Sequence, residues 1–246
     1  MAQQVAFITG GNRGLGFQTA LDIKDRGIRT VIGSRGRKQG EQAVEKLRAQ
    51  GADVELLVFD VTKPADHQAA FDYFKSKYGH LDILINNAGL AAGTFPGIGP
   101  EHTTAIDEKI LRNVFETNFF AVVALTRIFL PLIKASPAGR IVNLSSIVGS
   151  LTLQADPQSP IYHAKSFAYD ASKTALNAFT IHLAYELRDT PIKVNSAHPG
   201  WVKTDMGGSQ APMEISEGGK TSAALATLPA DGPSGGYFHL GQPLPW

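Results

Sequence analysis

The chain has 246 residues, a formal net charge of +1 and 43% hydrophobic residues, enough for one α/β domain with a single large core, and residues 1–246 are read as one domain. The dispersed Lys and Arg leave no nucleic-acid footprint. The lack of cysteine excludes disulfide and thiolate chemistry and fits a reduced cytoplasmic setting, and no basic, apolar leader opens the chain.

Apolar runs bounded by turn residues predict strands near residues 4–9, 29–34, 54–59, 81–86, 139–145 and 192–198, with a last short one at 236–239. Helix-compatible stretches fill the intervals. Runs such as Leu81 to Ile85 lack strict polar alternation and suit parallel strands covered on both faces. The alternation of strand and helix implies an α/β fold with a doubly wound parallel sheet of about seven strands flanked by helices. The apolar stretch Phe119 to Ile133 is broken by Arg127 and Pro131, so it reads as a buried helix and not a membrane span. Residues Ala91 to Pro100 and Gly207 to Gly219 read as loops, and the second suits a lid.

The first strand, Val5 to Ile8, runs directly into Thr9-Gly10-Gly11-Asn12-Arg13-Gly14-Leu15-Gly16, and a helix-compatible stretch from Phe17 follows. Strand, glycine turn and helix in that order form a Rossmann-type phosphate cradle, in which glycines let a pyrophosphate reach the helix N-terminus. The spacing is Gly-x-x-x-Gly-x-Gly. An NAD enzyme would present a carboxylate after the second strand for the ribose hydroxyl. This chain has Ser34-Arg35-Gly36-Arg37 there, and Arg13 can point to the same place. Two guanidinium groups and a hydroxyl suit a 2′-phosphate. At about 1.5–3 kcal/mol for each charge-assisted bond, two such contacts favour NADP(H) over NAD(H) by about 10²–10⁴.

Tyr169 and Lys173 stand four residues apart in a stretch that reads as helix from Tyr169 to Arg188. Such residues share a helix face, about 5–6 Å apart at Cβ. An ammonium at ~4 Å in an effective dielectric of ~20 favours the phenolate by roughly 4 kcal/mol, which predicts a phenol brought toward neutrality, where a proton donor or acceptor works best.

With these residues the chain resembles the short-chain dehydrogenase/reductases, over nearly its whole length, and within them most resembles the carbonyl reductases. The resemblance implies a cofactor loop of Gly10, Asn12, Arg13, Gly14, Leu15 and Gly16, and contacts to the dinucleotide from Ser34, Arg35, Asp60 and Val61. It places Asn87, Ala88 and Gly89 of Asn86-Asn-Ala-Gly89 over the cofactor, and Pro199, Gly200, Val202 and Thr204 against the nicotinamide. It implies a catalytic tetrad of Asn118, Ser146, Tyr169 and Lys173, with Tyr169 and Lys173 also contacting the cofactor. In that scheme NADPH carries a hydride to a ketone or aldehyde and Tyr169 gives the proton. Ser146 steadies the oxygen, Lys173 holds the nicotinamide ribose and Asn118 holds a water.

One departure stands out. Ser146 and Tyr169 are 23 positions apart, against about a dozen in the family, beyond the usual length of a loop. The extra segment, roughly Gln154 to Phe167, holds a decoy, Tyr162, with no lysine four residues on. It is expected to shape one wall of the substrate pocket and can leave either a homo-oligomer or a monomer. Phe95, Pro96, Leu151, Trp201, Met206 and Met213 lean toward an apolar or aromatic carbonyl substrate, a small molecule. Alcohol oxidation remains open as the working direction. A dinucleotide-binding regulator would tolerate loss of Tyr169, Lys173 or Ser146, yet all three are present. His163, His182 and His198 do not stand at metal-ligand spacing, and no metal is expected; His198 before Pro199-Gly200 has no assigned chemistry.

Overall fold

The computed structural model describes residues 3–91 and 103–246. The expected pocket residues Phe95 and Pro96 lie outside them, as does most of the expected loop Ala91 to Pro100. The strands, in chain order, are β1 (Val5–Ile8), β2 (Arg29–Ser34), β3 (Val54–Val58), β4 (Ile83–Asn86), β5 (Arg140–Leu144), β6 (Lys193–Ala197), β7 (Tyr237–His239) and β8 (Gln242–Pro243). They form one sheet in the order β3-β2-β1-β4-β5-β6-β7-β8. β1 to β7 pair in parallel, as expected from their apolar runs. β8 is an addition: it folds back antiparallel on β7 through Leu240 and Gly241, both at positive φ. Two residues with a proline carry no periodicity for a sequence reading to detect.

The chain winds outward from β1 to β3, then returns to lay β4 on the other side of β1. The reversal opens a crevice at the carboxyl ends of β1 and β4, where open α/β sheets bind ligands. Side chains alternate across each strand. Ala6 and Ile8 of β1 enter one core with Ile32, Ile85, Leu47 and Leu225, beneath α1 (Gly14–Asp22), α2 (Arg37–Ala49) and α9 (Lys220–Ala226). Val5 and Phe7 enter the other with Phe74, Phe129 and Leu183, beneath α3 (Pro64–Lys77), α5 (Ala121–Lys134) and α7 (Phe167–Glu186). The apolar stretch expected as a buried helix belongs to α5 and the turn before it; Leu125, Phe129 and Ile133 face the core. By length and composition the helical run Glu108–Lys134 could span a membrane, but its inner face is spent on this packing.

A second constraint runs across the sheet on the α7 side. Asn86 Nδ2 donates to Thr126 Oγ1 at 3.2 Å and to Asn143 Oδ1 at 2.9 Å. Asn143 Nδ2 donates to Thr180 Oγ1 at 2.9 Å, and Ser196 Oγ donates to the same oxygen at 2.9 Å. All five residues are buried. Helix α5, strands β4, β5 and β6 and helix α7 are thus joined by side-chain bonds just below the crevice.

Phe7 sits at the centre of an aromatic cluster, with ring centroids 5.2 Å from Phe59, 5.2 Å from Phe74 and 5.6 Å from Phe129. Phe7→Ala is expected to cost about 3–5 kcal/mol in a denaturant melt, the range for a large buried aromatic. Val58→Ala, at a half-exposed site, is expected to stay within about 0.5 kcal/mol.

Candidate active site

The glycine loop leaves β1 at Thr9 and is braced from β4. The Thr9 hydroxyl accepts the Asn87 and Ala88 N–H groups, both at 3.0 Å. Asn87 Nδ2 donates to Thr9 O at 2.7 Å and Gly10 O at 3.2 Å. The loop glycines do different work. A Cβ on Gly16 would lie 2.5 Å from Asn87 Nδ2 and 2.7 Å from Gly10 O, so only glycine lets α1 start this close to the loop. Gly14 has φ +57° with nothing within 4 Å of the Cβ position, which leaves open space over the first turn of α1. A bare helix N-terminus with room above it and a left-handed glycine beside it suits a pyrophosphate. Leu15 follows Gly14 in that turn, and its side chain packs against the neighbouring core.

The residues expected around the 2′-phosphate are drawn together unequally. Arg13 pairs with Asp205 at 2.7 Å, across the mouth of the crevice, with both side chains at least 70% exposed. An exposed pair of this kind contributes at most about 1 kcal/mol and yields readily to a phosphate. Arg35 lies near Asp60 and helps to hold its carboxyl below the usual range, behind the hydrogen bonds from Thr62 that oppose a burial effect. Asp60 Oδ1 accepts from Thr62 N at 3.1 Å and Thr62 Oγ1 at 2.9 Å. Ser34 is buried and its hydroxyl donates to Gly36 O at 3.0 Å, so it shapes the Arg35 turn as well as facing it. Val61 packs its side chain into the α3 core, and its carbonyl bonds the His67 ring at 2.7 Å.

The catalytic candidates converge from three elements. Ser146 ends the tail of β5 and precedes a 3₁₀ turn, Ile147–Gly149. Gly149 lies so close to α7 that a Cβ there would be 2.9 Å from the carbonyl carbon and Cβ of Lys173. Gly149 O accepts from Thr174 Oγ1 at 3.0 Å and Asn177 Nδ2 at 3.3 Å, both on α7. This seating brings the Ser146 hydroxyl to the Tyr169 phenol as its hydrogen-bonding neighbour. Tyr169 is on the first turn of α7, and Lys173 Nζ is 5.5 Å from its ring centroid.

The electrostatics differ from the expectation. Burial pushes the Tyr169 phenol up to about 12; the Ser146 hydrogen bond works against that shift and Asp170 adds to it. Lys173, 3% exposed, is itself pushed down to about 8 by burial. Its Nζ donates to Leu144 O at 2.7 Å. The sequence argument counted the attraction of an ammonium for a phenolate; the folded chain adds the cost of removing both groups from water, and that cost is larger here.

Asn118 is in the middle of a π-helical turn, Glu116–Phe120, between α4 (Glu108–Phe115) and α5. Such single turns recur at functional sites. Its Oδ1 accepts Leu90 N at 2.8 Å; its Nδ2 donates to Leu90 O at 2.8 Å and to Ser172 Oγ at 2.9 Å. Ser172 Oγ in turn donates to Tyr169 O at 2.7 Å. The amide therefore clamps the tail of β4 to the catalytic helix. A Cβ on Gly89 would sit 3.5 Å from Asn118 Oδ1 and 3.7 Å from Lys173 Nζ, which places Gly89 beside both.

Pro199 and Gly200 follow β6 at the same edge, Gly200 at φ +92° against Met213. Val202 is buried and bridges to Met213, and Thr204 Oγ1 accepts Gly207 N at 3.0 Å. Trp201 Nε1 donates to Gly207 O at 2.8 Å. The expected lid is thus a folded flap that continues into α8 (Ile215–Gly218) and rests on α1.

The inserted segment, from Gln154, begins in the last turn of α6 (Leu151–Ala155) and continues as a series of turns. Gln154 Nε2 donates to Asp170 Oδ2 at 3.0 Å, and Lys165 bonds the Gln154 side chain. Lys165 Nζ stands 5.0 Å over the Tyr162 ring.

Sequence reasoning missed Ser172 and Tyr237. Ser172 adjoins Lys173 and could have been suspected from its place on the Tyr169 helix. Tyr237, 1% exposed and pushed far up by burial with Tyr169 adding to the shift, gave no signal, because β7 joins this edge only in three dimensions. Among the described residues no cluster of three or more His, Asp or Glu could hold a metal ion.

A family profile described as short chain dehydrogenase matches residues 4–215. The NADPH carbonyl reductase 1 of Mus musculus is 31% identical, the match covering 100% of this chain and 99% of that protein. The structure of NADPH-bound carbonyl reductase from chicken fatty liver superposes with a TM-score of 0.83 at 26% identity, over 100% of both chains. Salutaridine reductase from Papaver somniferum superposes with a TM-score of 0.82 at 28% identity, over 96% of this chain and 99% of that one. Both superpositions cover nearly the whole chain, and the profile spans most of the sequence: this protein belongs to the short-chain dehydrogenase family.

Proposed function

We infer that the protein is an NADP(H)-dependent oxidoreductase that reduces a ketone or aldehyde to an alcohol. The observation that carries the reading is the convergence of Ser146, Tyr169 and Lys173 at the crevice that the glycine loop opens. NADPH, when bound, supplies the hydride. Gly14, Gly16 and the first turn of α1 hold its pyrophosphate, Arg13 and Arg35 its 2′-phosphate, and Asp60 and Val61 border its adenine. Asn87 and Ala88 keep the loop in shape for it.

The phenol of Tyr169, held protonated by burial, is the proton donor to the developing alkoxide. Ser146 donates a hydrogen bond to the same oxygen, where charge appears. Lys173 holds the ribose and carries positive charge beside the phenol as the proton leaves. Asn118 positions α7 through Ser172 and Leu90. Leu151, Trp201, Met206 and Met213 border the acceptor site and select an apolar or aromatic carbonyl. A chain without cysteine suits work in the cytoplasm, and the segment 154–167, held at the start of α7, leaves either a homo-oligomer or a monomer.

Tyr169→Phe is expected to reduce kcat by at least about 10³, with the dissociation constant for NADPH unchanged within about threefold; NADPH absorbance with a panel of ketones, aldehydes and quinones reads the first, and fluorescence titration the second. Arg13→Ala with Arg35→Ala is expected to weaken NADPH binding by about 10²–10⁴ while NADH binding stays within a few-fold. Equal losses for both cofactors would reject the phosphate role.

Lys173 gives a pH signature. Its folded value, about 8, lies below the ordinary 10.5. Between these the unfolded chain binds more protons, so stability rises with pH. Relative to Lys173→Met, the wild-type protein is expected to gain about 2 kcal/mol from pH 8 to pH 10. Denaturant melts across that window measure the difference, and parallel curves would show that the ammonium is not desolvated.

A further inference from the structure

We propose that His198 is a positioning residue whose unprotonated Nδ1 holds the Ser146 turn and the Pro199-Gly200 turn together at the reacting edge. The inference rests on the carbonyl-reduction reading for its kinetic consequence, but not for its geometry. Ile147 N–H donates to His198 Nδ1 at 3.2 Å, and Gly200 N–H donates to the same nitrogen at 3.4 Å. The imidazole is 7% exposed. Its own backbone N–H continues the sheet to Phe238 O at 2.8 Å. One residue therefore ties the segments that follow β5 and β6 to strand β7.

The local chemistry explains why an acceptor is required there. Ile147 opens a 3₁₀ turn, and the first N–H groups of such a turn have no partner within it. The preceding residue, here Ser146, commonly caps them with its hydroxyl. Ser146 makes no capping bond. The imidazole, at the end of the neighbouring strand, accepts the first N–H of the turn, that of Ile147, while the Ser146 hydroxyl faces Tyr169.

A second histidine, His239, packs against this ring. His239 Nδ1 lies 2.9 Å from His198 O, and a carbonyl only accepts, so His239 carries its proton on Nδ1. The two rings stand 4.8 Å apart at 41°. His198 accepts at Nδ1 and so carries its proton on Nε2. Burial and His239 both hold His198 far below the ordinary histidine value, at about 3, which keeps that nitrogen available.

The test compares His198→Asn with His198→Leu. Asparagine places Oδ1 the same number of bonds from the backbone as histidine Nδ1 and can accept both amides; leucine keeps bulk without an acceptor. For NADPH-dependent carbonyl reduction, His198→Leu is expected to lower kcat by about tenfold or more, as displacement of a catalytic group does. The KM for NADPH should stay within about twofold, because the loop that grips the phosphates is elsewhere. His198→Asn is expected to recover most of kcat. A leucine variant with wild-type kcat, or an asparagine variant as impaired as leucine, overturns the proposal. A readout free of turnover is the long-range ¹H–¹⁵N histidine spectrum of the wild-type chain at neutral pH, with His198 assigned by its loss in His198→Asn. An unprotonated Nδ1 supports the clamp even if no carbonyl is reduced, a result that would fault the functional reading alone. A protonated Nδ1 overturns the clamp whatever the activity, and this arm stands even if the leucine variant does not fold.

Discussion

The active edge depends on one close approach, the seating of the turn after β5 on helix α7 at Gly149. A side chain there would strike the backbone of Lys173. Two α7 side chains, Thr174 and Asn177, hold the Gly149 carbonyl. Since Ser146 lies three residues before Gly149 and Tyr169 four before Lys173, this contact sets the distance between hydroxyl and phenol. The remaining parts act on the same two bodies. Asn118 and Ser172 hold α7 to the tail of β4, and Gln154 lays the insertion against the start of α7 through Asp170. A catalytic group held this way depends on packing contacts far from the reacting atoms.

Burial shapes the proton chemistry more than pairing does. Tyr169 and Lys173 are both driven toward their neutral forms. A neutral phenol is the donor form, so the apoprotein side of the site is set for giving a proton. The buried lysine is a stability cost that the fold carries at neutral pH, and active sites commonly hold such costs.

Much of this was legible in the sequence. The glycine turn after Val5 to Ile8, the paired Tyr169 and Lys173 and the apolar runs of β1 to β6 are local patterns, and local patterns survive in one dimension. The Rossmann-type sheet followed from their alternation. What was not legible came from contacts between distant segments. Tyr237 and His239 reach the site because β7 pairs with β6, some forty residues away. The role of Asn118 as a clamp depends on Leu90, and the raised phenol depends on how much protein covers it. Arg13 shows the same limit: its type suits a phosphate, while its partner Asp205 lies on a flap whose course no spacing rule indicates.

The row of amides and hydroxyls from Thr126 through Asn86, Asn143 and Thr180 to Ser196 also bears on assembly of the sheet. Parallel strands rich in Val and Ile have little to tell one pairing from another. A slip of one residue in β4 or β5 would turn its asparagine toward the opposite, oily layer and strand it without a partner. Those five side chains therefore work as an alignment gauge, making a misregistered sheet costly before any cofactor arrives.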